Sequence, residues 1–159
     1  MSLKSELKRH LTTVPCFRSG TQAIDLTDAG QQLHCNLVAL DTLACALDDL
    51  GVHPVAEKNL SVEQLKASAG ELAGRLTYLL EPISPIELDA EGCTVQLRSS
   101  PPQKDESATT YYELVLKRTG QLNLRRYSHK PGTVRTIVPA EVTREVLLRL
   151  VGDFSDAVA

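Results

Sequence analysis

The sequence predicts an α+β fold: three N-terminal helices, a five-stranded antiparallel meander, and a C-terminal helix packed on the sheet. Three observations lead there. Apolar residues recur at helical spacing up to residue 81, the period falls to two from residue 84, and Pro139 opens a last stretch of helical period. At 159 residues the chain matches the size of one domain. That domain, 1–159, divides into a helical region (1–81), a meander (84–138) and a C-terminal helix (139–156).

Residues 2–13 carry Leu3, Leu7 and Leu11 on one helical stripe, which Pro15 ends. Residues 14–25 show no period and read as a loop or a short strand. Over 27–50, Leu33, Leu37, Leu40, Leu43, Ala44, Leu47 and Leu50 fall in one broad stripe at 100° per residue, between an N-cap at Thr27 and Gly51. Cys35, Val38 and Cys45 lie off this stripe, so a second flank is expected to be covered too, as in a central helix or one used in self-association. A third helix is expected at 61–81. Ser61 and Gln64 form a capping box there, Leu60 and Leu65 a hydrophobic staple, and Pro82 the stop. Gly70 and Gly74 in its interior cost roughly 1 kcal/mol each against alanine, so they mark a close contact, expected with helix 27–50.

The strands follow. IELDAEGCTVQL reads as a hairpin with a four-residue loop, Asp89–Gly92, that pairs Leu88 with Cys93 and Ile86 with Val95. The polar segment 99–109 is expected to be a mobile connection. In YYELVLKRTGQLNLRRY, a three-residue loop with Gly120 in the left-handed region pairs Leu116 with Leu122 and Leu114 with Leu124 on one face. The same register sets Glu113 opposite Arg125 and Tyr111 opposite Tyr127 on the other. Lys130-Pro131-Gly132 then turns the chain into a fifth strand, 133–138. In the last helix Val142, Val146, Leu147, Leu150, Val151 and Phe154 would cover the sheet.

Composition narrows the function classes. The N-terminus lacks the apolar core of a signal peptide, and no run of 18 apolar residues exists to span a membrane. Cys16, Cys35, Cys45 and Cys93 are irregularly spaced and read as free thiols in a reducing cytoplasm. The net charge of −3 argues against a protein coated in nucleic acid, but it hides an asymmetry: Lys117, Arg118, Arg125, Arg126, Lys130 and Arg135 give 114–135 a charge of +6 against −9 for the rest.

The candidate binding surface is therefore Arg98, Tyr111, Lys117, Arg125 and Tyr127 on the outer face of the meander, together with Lys130 and Arg135 of the basic run. Cations beside aromatics on an open sheet suit single-stranded nucleic acid, with phosphates on arginine and bases on the rings. They also suit an acidic protein partner, and first of all a solvated face that resists edge-to-edge aggregation. Cys16 has Arg18 nearby to favour thiolate, but no base to orient it and no phosphatase-type arginine six positions on, where Gln22 stands. His34, Asp41, Cys45 and Asp48 would line up along a 27–50 helix with metal-ligand chemistry, although one helix rarely supplies a whole site. His10, His53 and His129 fall at a helix end and in loops. Cys-x-x-Cys, Walker, Gly-x-Ser-x-Gly and Gly-x-Gly-x-x-Gly patterns are missing from the sequence, so no catalytic, cofactor or metal residue is assigned. Three readings compete: a non-enzymatic binding or adaptor module with a protein partner and a homodimer through helix 27–50, a single-stranded nucleic-acid binder using 111–135, and a ligand-binding protein or enzyme with a pocket between sheet and helices.

Overall fold

A computed structural model describes residues 2–159, so only Met1 of the expected helical region lies outside the described residues. The order of elements is α1 (Leu3–Leu11), β1 (Gln22–Asp28), β2 (Gln31–Leu40), β3 (Ala44–Pro54), α2 (Val62–Arg75), β4 (Ile83–Asp89), β5 (Thr94–Ser99), β6 (Gln103–Lys104), β7 (Thr109–Lys117), β8 (Leu122–His129), β9 (Thr136–Val138), β10 (Ala140–Thr143) and α3 (Arg144–Val158). The expected architecture of three N-terminal helices and five strands is thus overturned. One short helix precedes a ten-stranded antiparallel sheet, and the chain is mostly β with a C-terminal helix.

The main correction is 27–50, which is not a helix but the end of β1, all of β2 and most of β3. Its chain reversals are local. Asp28 pairs with Gln31 across Ala29 and Gly30, both at positive φ, as a two-residue hairpin loop requires. At the other end the Asp41 carboxylate accepts from the Leu43 and Ala44 amides, which leaves Leu43 exposed at the tip. The helix-like spacing has a cause. Val38 is an extra residue in β2 and Asp48 an extra residue in β3, so two β-bulges shift the inward phase. Buried Leu37 and Leu40, and buried Leu47 and Leu50, therefore stand three apart, as they would on a helix. Elsewhere the strand period is two: Leu33, Cys35 and Leu37 are buried while Gln32, His34 and Asn36 lie on the other face. A homodimer through a 27–50 helix loses its helix.

Other boundaries move for equally local reasons. Ser2 caps α1, which buries Leu3, Leu7 and Leu11. The capping box of Ser61 and Gln64 opens α2, but the helix stops at Arg75 rather than 81, and Leu76 and Leu79 enter the core from non-helical backbone. Gly70 and Gly74 mark no close contact, since a methyl group at either would meet nothing within 4 Å. The β4–β5 loop has four residues, Ala90–Cys93, so Leu88 pairs with Val95, and a register shift after Pro85 turns Ile86 out to 45% exposure. Segment 99–109 is structured: β6 folds back on Thr109 and Thr110, and the Asp105 carboxylate holds the turn. The β7–β8 hairpin has the expected register throughout, closed by Lys117, Gln121 and a left-handed Gly120. Pro139 does not open a helix. It separates β9 from β10, and Thr143 caps α3 through its hydroxyl on the Val146 amide.

Across the sheet the strands run β1-β2-β3-β8-β7-β5-β4. Two meanders meet where Leu50–Val52 of β3 pairs with Leu122–Leu124 of β8. Beyond this short ladder the two strands part, and β9 continues along β8 while β10 continues along β3. All three helices pack on one face. Leu3, Leu7, Leu65, Leu72, Leu147 and Phe154 meet Leu37, Leu47, Leu50, Leu114 and Leu124 in one buried cluster, filling the space between the layers. The other face of the sheet has no helix over it. Among the described residues no helix is long and apolar enough to cross a membrane.

Leu50 sits fully buried at the junction of the two meanders. Leu50→Ala is expected to lower the unfolding free energy by about 2–5 kcal/mol, read from urea melts; a loss below about 1 kcal/mol would place the structural weight elsewhere.

Candidate functional site

Strand alternation builds the open face. In β7, Tyr112, Leu114 and Leu116 point to the helices, so Tyr111, Glu113, Val115 and Lys117 point away. In β8, Asn123, Arg125 and Tyr127 share that outer side, and in β5 Gln96 and Arg98 do. Five of the seven expected surface residues come together here: Arg98, Tyr111, Arg125, Tyr127 and Arg135. Lys117 lines the far end of a shallow depression of about 240 Å³ with Val115, Gln121 and Asn123. Lys130 stands apart, exposed on the loop after β8.

The centre of the group is Glu113, a residue sequence reasoning set opposite Arg125. The register does place them opposite, and Arg98 lies opposite Glu113 from the other side. Arg125, however, turns away to Asp49 of β3, its Nε 3.1 Å from Oδ1. Glu113 is instead held by Arg98, whose Nη2 donates to Oε2 at 3.0 Å, and by Arg135 from the loop before β9. Arg135 donates through Nη1 to Oε2 at 2.5 Å and through Nη2 to Oε1 at 3.2 Å, a two-point grip on one carboxylate. The covering side chains leave Glu113 only 4% exposed on a face without a helix. Burial by itself would raise the Glu113 carboxyl, but hydrogen bonds from Arg135 and Arg98 outweigh it and hold the group below the usual carboxylate range. The Glu113 hydrogen bond in turn raises the Arg135 guanidinium against the burial that opposes it.

The tyrosines complete the arrangement. Tyr111 and Tyr127 are cross-strand neighbours with ring centroids 6.0 Å apart and planes tilted 31°. Arg98 lies 4.6 Å from the centre of the Tyr111 ring, and Arg135 lies 3.8 Å from that of Tyr127. Arg135 Nη1 also donates to the Tyr111 hydroxyl at 3.3 Å. Arginine, tyrosine, tyrosine and arginine thus follow one another over a buried carboxylate.

Half of the +6 of 114–135 is neutralised from outside that segment. Asp49 takes Arg125 and Glu113 takes Arg135. Arg126 faces the helix side, where it pairs with Glu81 at 3.0 Å and covers the Tyr112 ring at 4.4 Å. No acid lies within ion-pair distance of Lys117, Arg118 or Lys130 among the described residues.

A second polar row on this face went unseen in the sequence because it spans two strands read as helix. His34 of β2 bridges carboxylates on either side, Nδ1 to Asp25 Oδ1 at 2.8 Å and Nε2 to Asp49 Oδ2 at 3.6 Å. Asp49 also accepts from Asn123 at 3.4 Å, so the row crosses β1, β2, β3 and β8. The expected column of His34, Asp41, Cys45 and Asp48 does not exist. Asp41 holds a turn, Cys45 faces the core and Asp48 accepts from Asn36 at 2.7 Å. Among the described residues no three such side chains gather as a metal site.

The cysteines are four free thiols. Cys45 borders a mostly apolar depression of about 250 Å³ with Phe17, Ala39 and Leu40, and burial pushes its thiol up to about 11. Burial raises Cys35 as well, so neither is an activated nucleophile. Cys16 is exposed beside Phe17, and His10, His53 and His129 join none of these groups.

Glu113→Gln is expected to lower stability at neutral pH by roughly 2–3 kcal/mol, the low end for a buried pair because both arginines are about one-third exposed. The carboxyl is depressed in the folded state, so its contribution is complete above the unfolded carboxyl value near about 4.3 and disappears as pH falls through the lower folded value. Urea melts of both proteins across this range should therefore converge in acid; a gap independent of pH would refute the charged pairing.

Compared with known proteins, the chain matches no family model, no curated protein and no solved structure.

Proposed function

We propose that this protein is a non-enzymatic protein-interaction module that meets its partner with the open face of the sheet. The observation that supports the reading best is the one-sidedness of the fold. Seven strands lie side by side, every helix packs on one face, and the other is a broad shallow surface of paired charges and two tyrosines. Tyrosine and arginine are the residues that protein interfaces favour at their centres. The face also carries both signs. Asp25 and Asp48 lie on the β1–β3 side, whereas Lys117 and the two arginines around Glu113 lie on the β5–β7 side. The fitting partner is a protein surface with a basic patch beside an acidic one.

The other readings find less support. The depressions between α2 and the sheet, about 320 Å³ beside Gln64 and Leu116 and about 350 Å³ beside Lys66 and Val95, are open at the edge, and the interior behind them is filled by Leu3, Leu7, Leu47, Leu50, Leu147 and Phe154. Base stacking needs a free aromatic face, but Arg98 covers Tyr111 and Arg135 covers Tyr127, and Tyr111 is only 8% exposed. Half of the hairpin's cations are already paired within the chain.

A photo-crosslinking amino acid at Lys117, on the open face, should capture a discrete protein in cells. The same group at Glu63 of α2, on the helix side, should not, and Arg125→Glu should remove the Lys117 adduct. Equal adducts at both positions would sink this reading, and salt-dependent retention of single-stranded RNA by the purified protein would favour the nucleic-acid alternative.

A further inference from the structure

We propose that the open face carries an arginine-recognition site, which Arg135 of the same chain occupies and which a partner's arginine takes over when the loop 130–135 is displaced. This deepens the protein-interaction reading and rests on it.

The molecule displays the ligand chemistry itself. A guanidinium recognised by a protein wants a carboxylate presented edge-on for two parallel hydrogen bonds, an aromatic face against its plane, and an acceptor for a remaining N–H. Glu113 supplies the first, Tyr127 the second at 3.8 Å and the Tyr111 hydroxyl the third at 3.3 Å. These groups stand on adjacent strands in fixed register, and Arg98 holds the carboxylate from the opposite side, so the cage does not depend on Arg135 for its shape.

The loop that carries the occupant, by contrast, has few holds of its own. Residues 130–134 are all exposed, with Val134 at 86%. The turn within them is closed by a backbone hydrogen bond from Thr133 to Lys130, and the chain rejoins the sheet only at the three-residue β9. Between Lys130 and the pairing of Thr136 with Ser128, the side chain of Arg135 is the hold on the face. A second arginine would remake each contact that Arg135 gives up, so the exchange is opposed chiefly by the effective concentration of the tethered residue, about millimolar for a short flexible link. Free arginine loses that competition. An arginine on a partner that also contacts the rest of the face wins it. A lysine has no second parallel N–H and no planar cation, so the site discriminates against it.

The test removes the internal ligand. Arg135→Ala should bind N-acetyl-arginine amide in NMR titrations at least about tenfold more tightly than the wild type, and N-acetyl-lysine amide at least about tenfold more weakly than the arginine compound. Adding Glu113→Gln to Arg135→Ala should abolish the gain. Absence of arginine binding to Arg135→Ala, or equal binding by the double variant, would overturn the proposal. Should Arg135→Ala fail to fold, the wild-type protein decides through the Arg135 Nε–Hε resonance. A penta-arginine peptide should shift it and a penta-lysine peptide should not; an unmoved resonance, or equal shifts with both, would overturn the proposal. Failure here with the Lys117 cross-link intact removes the cage alone. Loss of that cross-link with arginine binding intact removes the open-face reading instead.

Discussion

The fold depends on one short ladder, Leu50–Val52 of β3 against Leu122–Leu124 of β8. It joins a meander of β1–β3 to a second one of β4–β8 and makes one sheet of them. The contact is close because Gly51 has no side chain: a methyl there would stand 2.7 Å from the Asn123 amide nitrogen. Past the ladder the strands diverge, which would leave backbone donors and acceptors unpaired on both. Segment 136–143 fills the wedge with β9 on one side and β10 on the other, and then turns directly into α3 across the core. Helix placement, the continuity of the sheet and the filled interior all follow from that junction.

The same junction distributes the charge. Arg125 meets Asp49 only because β8 lies beside β3, which draws Arg125 away from Glu113 and leaves that carboxylate to Arg98 and Arg135. Glu113 thereby becomes a buried anion on an uncovered face, bridged by two cations that also shield two aromatic rings. A bare count of +6 in the hairpin cannot report this, because Asp49, Glu81 and Glu113 lie outside the counted window.

Legibility in the sequence followed distance along the chain. The β7–β8 hairpin was legible to the residue because its register is set by a three-residue turn and by alternation within the hairpin itself. The capping box of α2 and the leucines of α1 were legible for the same reason. Residues 27–50 look helical in sequence because bulges at Val38 and Asp48 reset the strand phase, and the leucines then stand three apart like those of a helix. The turn at Ala29–Gly30 carried the contrary signal, a glycine at a hairpin position. Of the site, alternation within the hairpins put Arg98, Tyr111, Lys117, Arg125 and Tyr127 on one face, but Glu113's true partners were not legible. Arg98 belongs to another hairpin, and Arg135 returns to the face from a loop.

What the sequence determined by itself is local: which residues each hairpin turns toward the core, where helices start, and that cations and tyrosines share one face. Those signals act over a few residues, through backbone geometry and turn chemistry. What only the tertiary structure decided is the partner of each charge and the neighbour of each strand. Arg125 and Asp49 are 76 residues apart in the chain, and Arg135 and Glu113 are 22 apart. The first pair exists because β3 lies beside β8, and the second because the chain after β8 folds back over β7; an ion pair is chosen by proximity in space, which burial and strand pairing set.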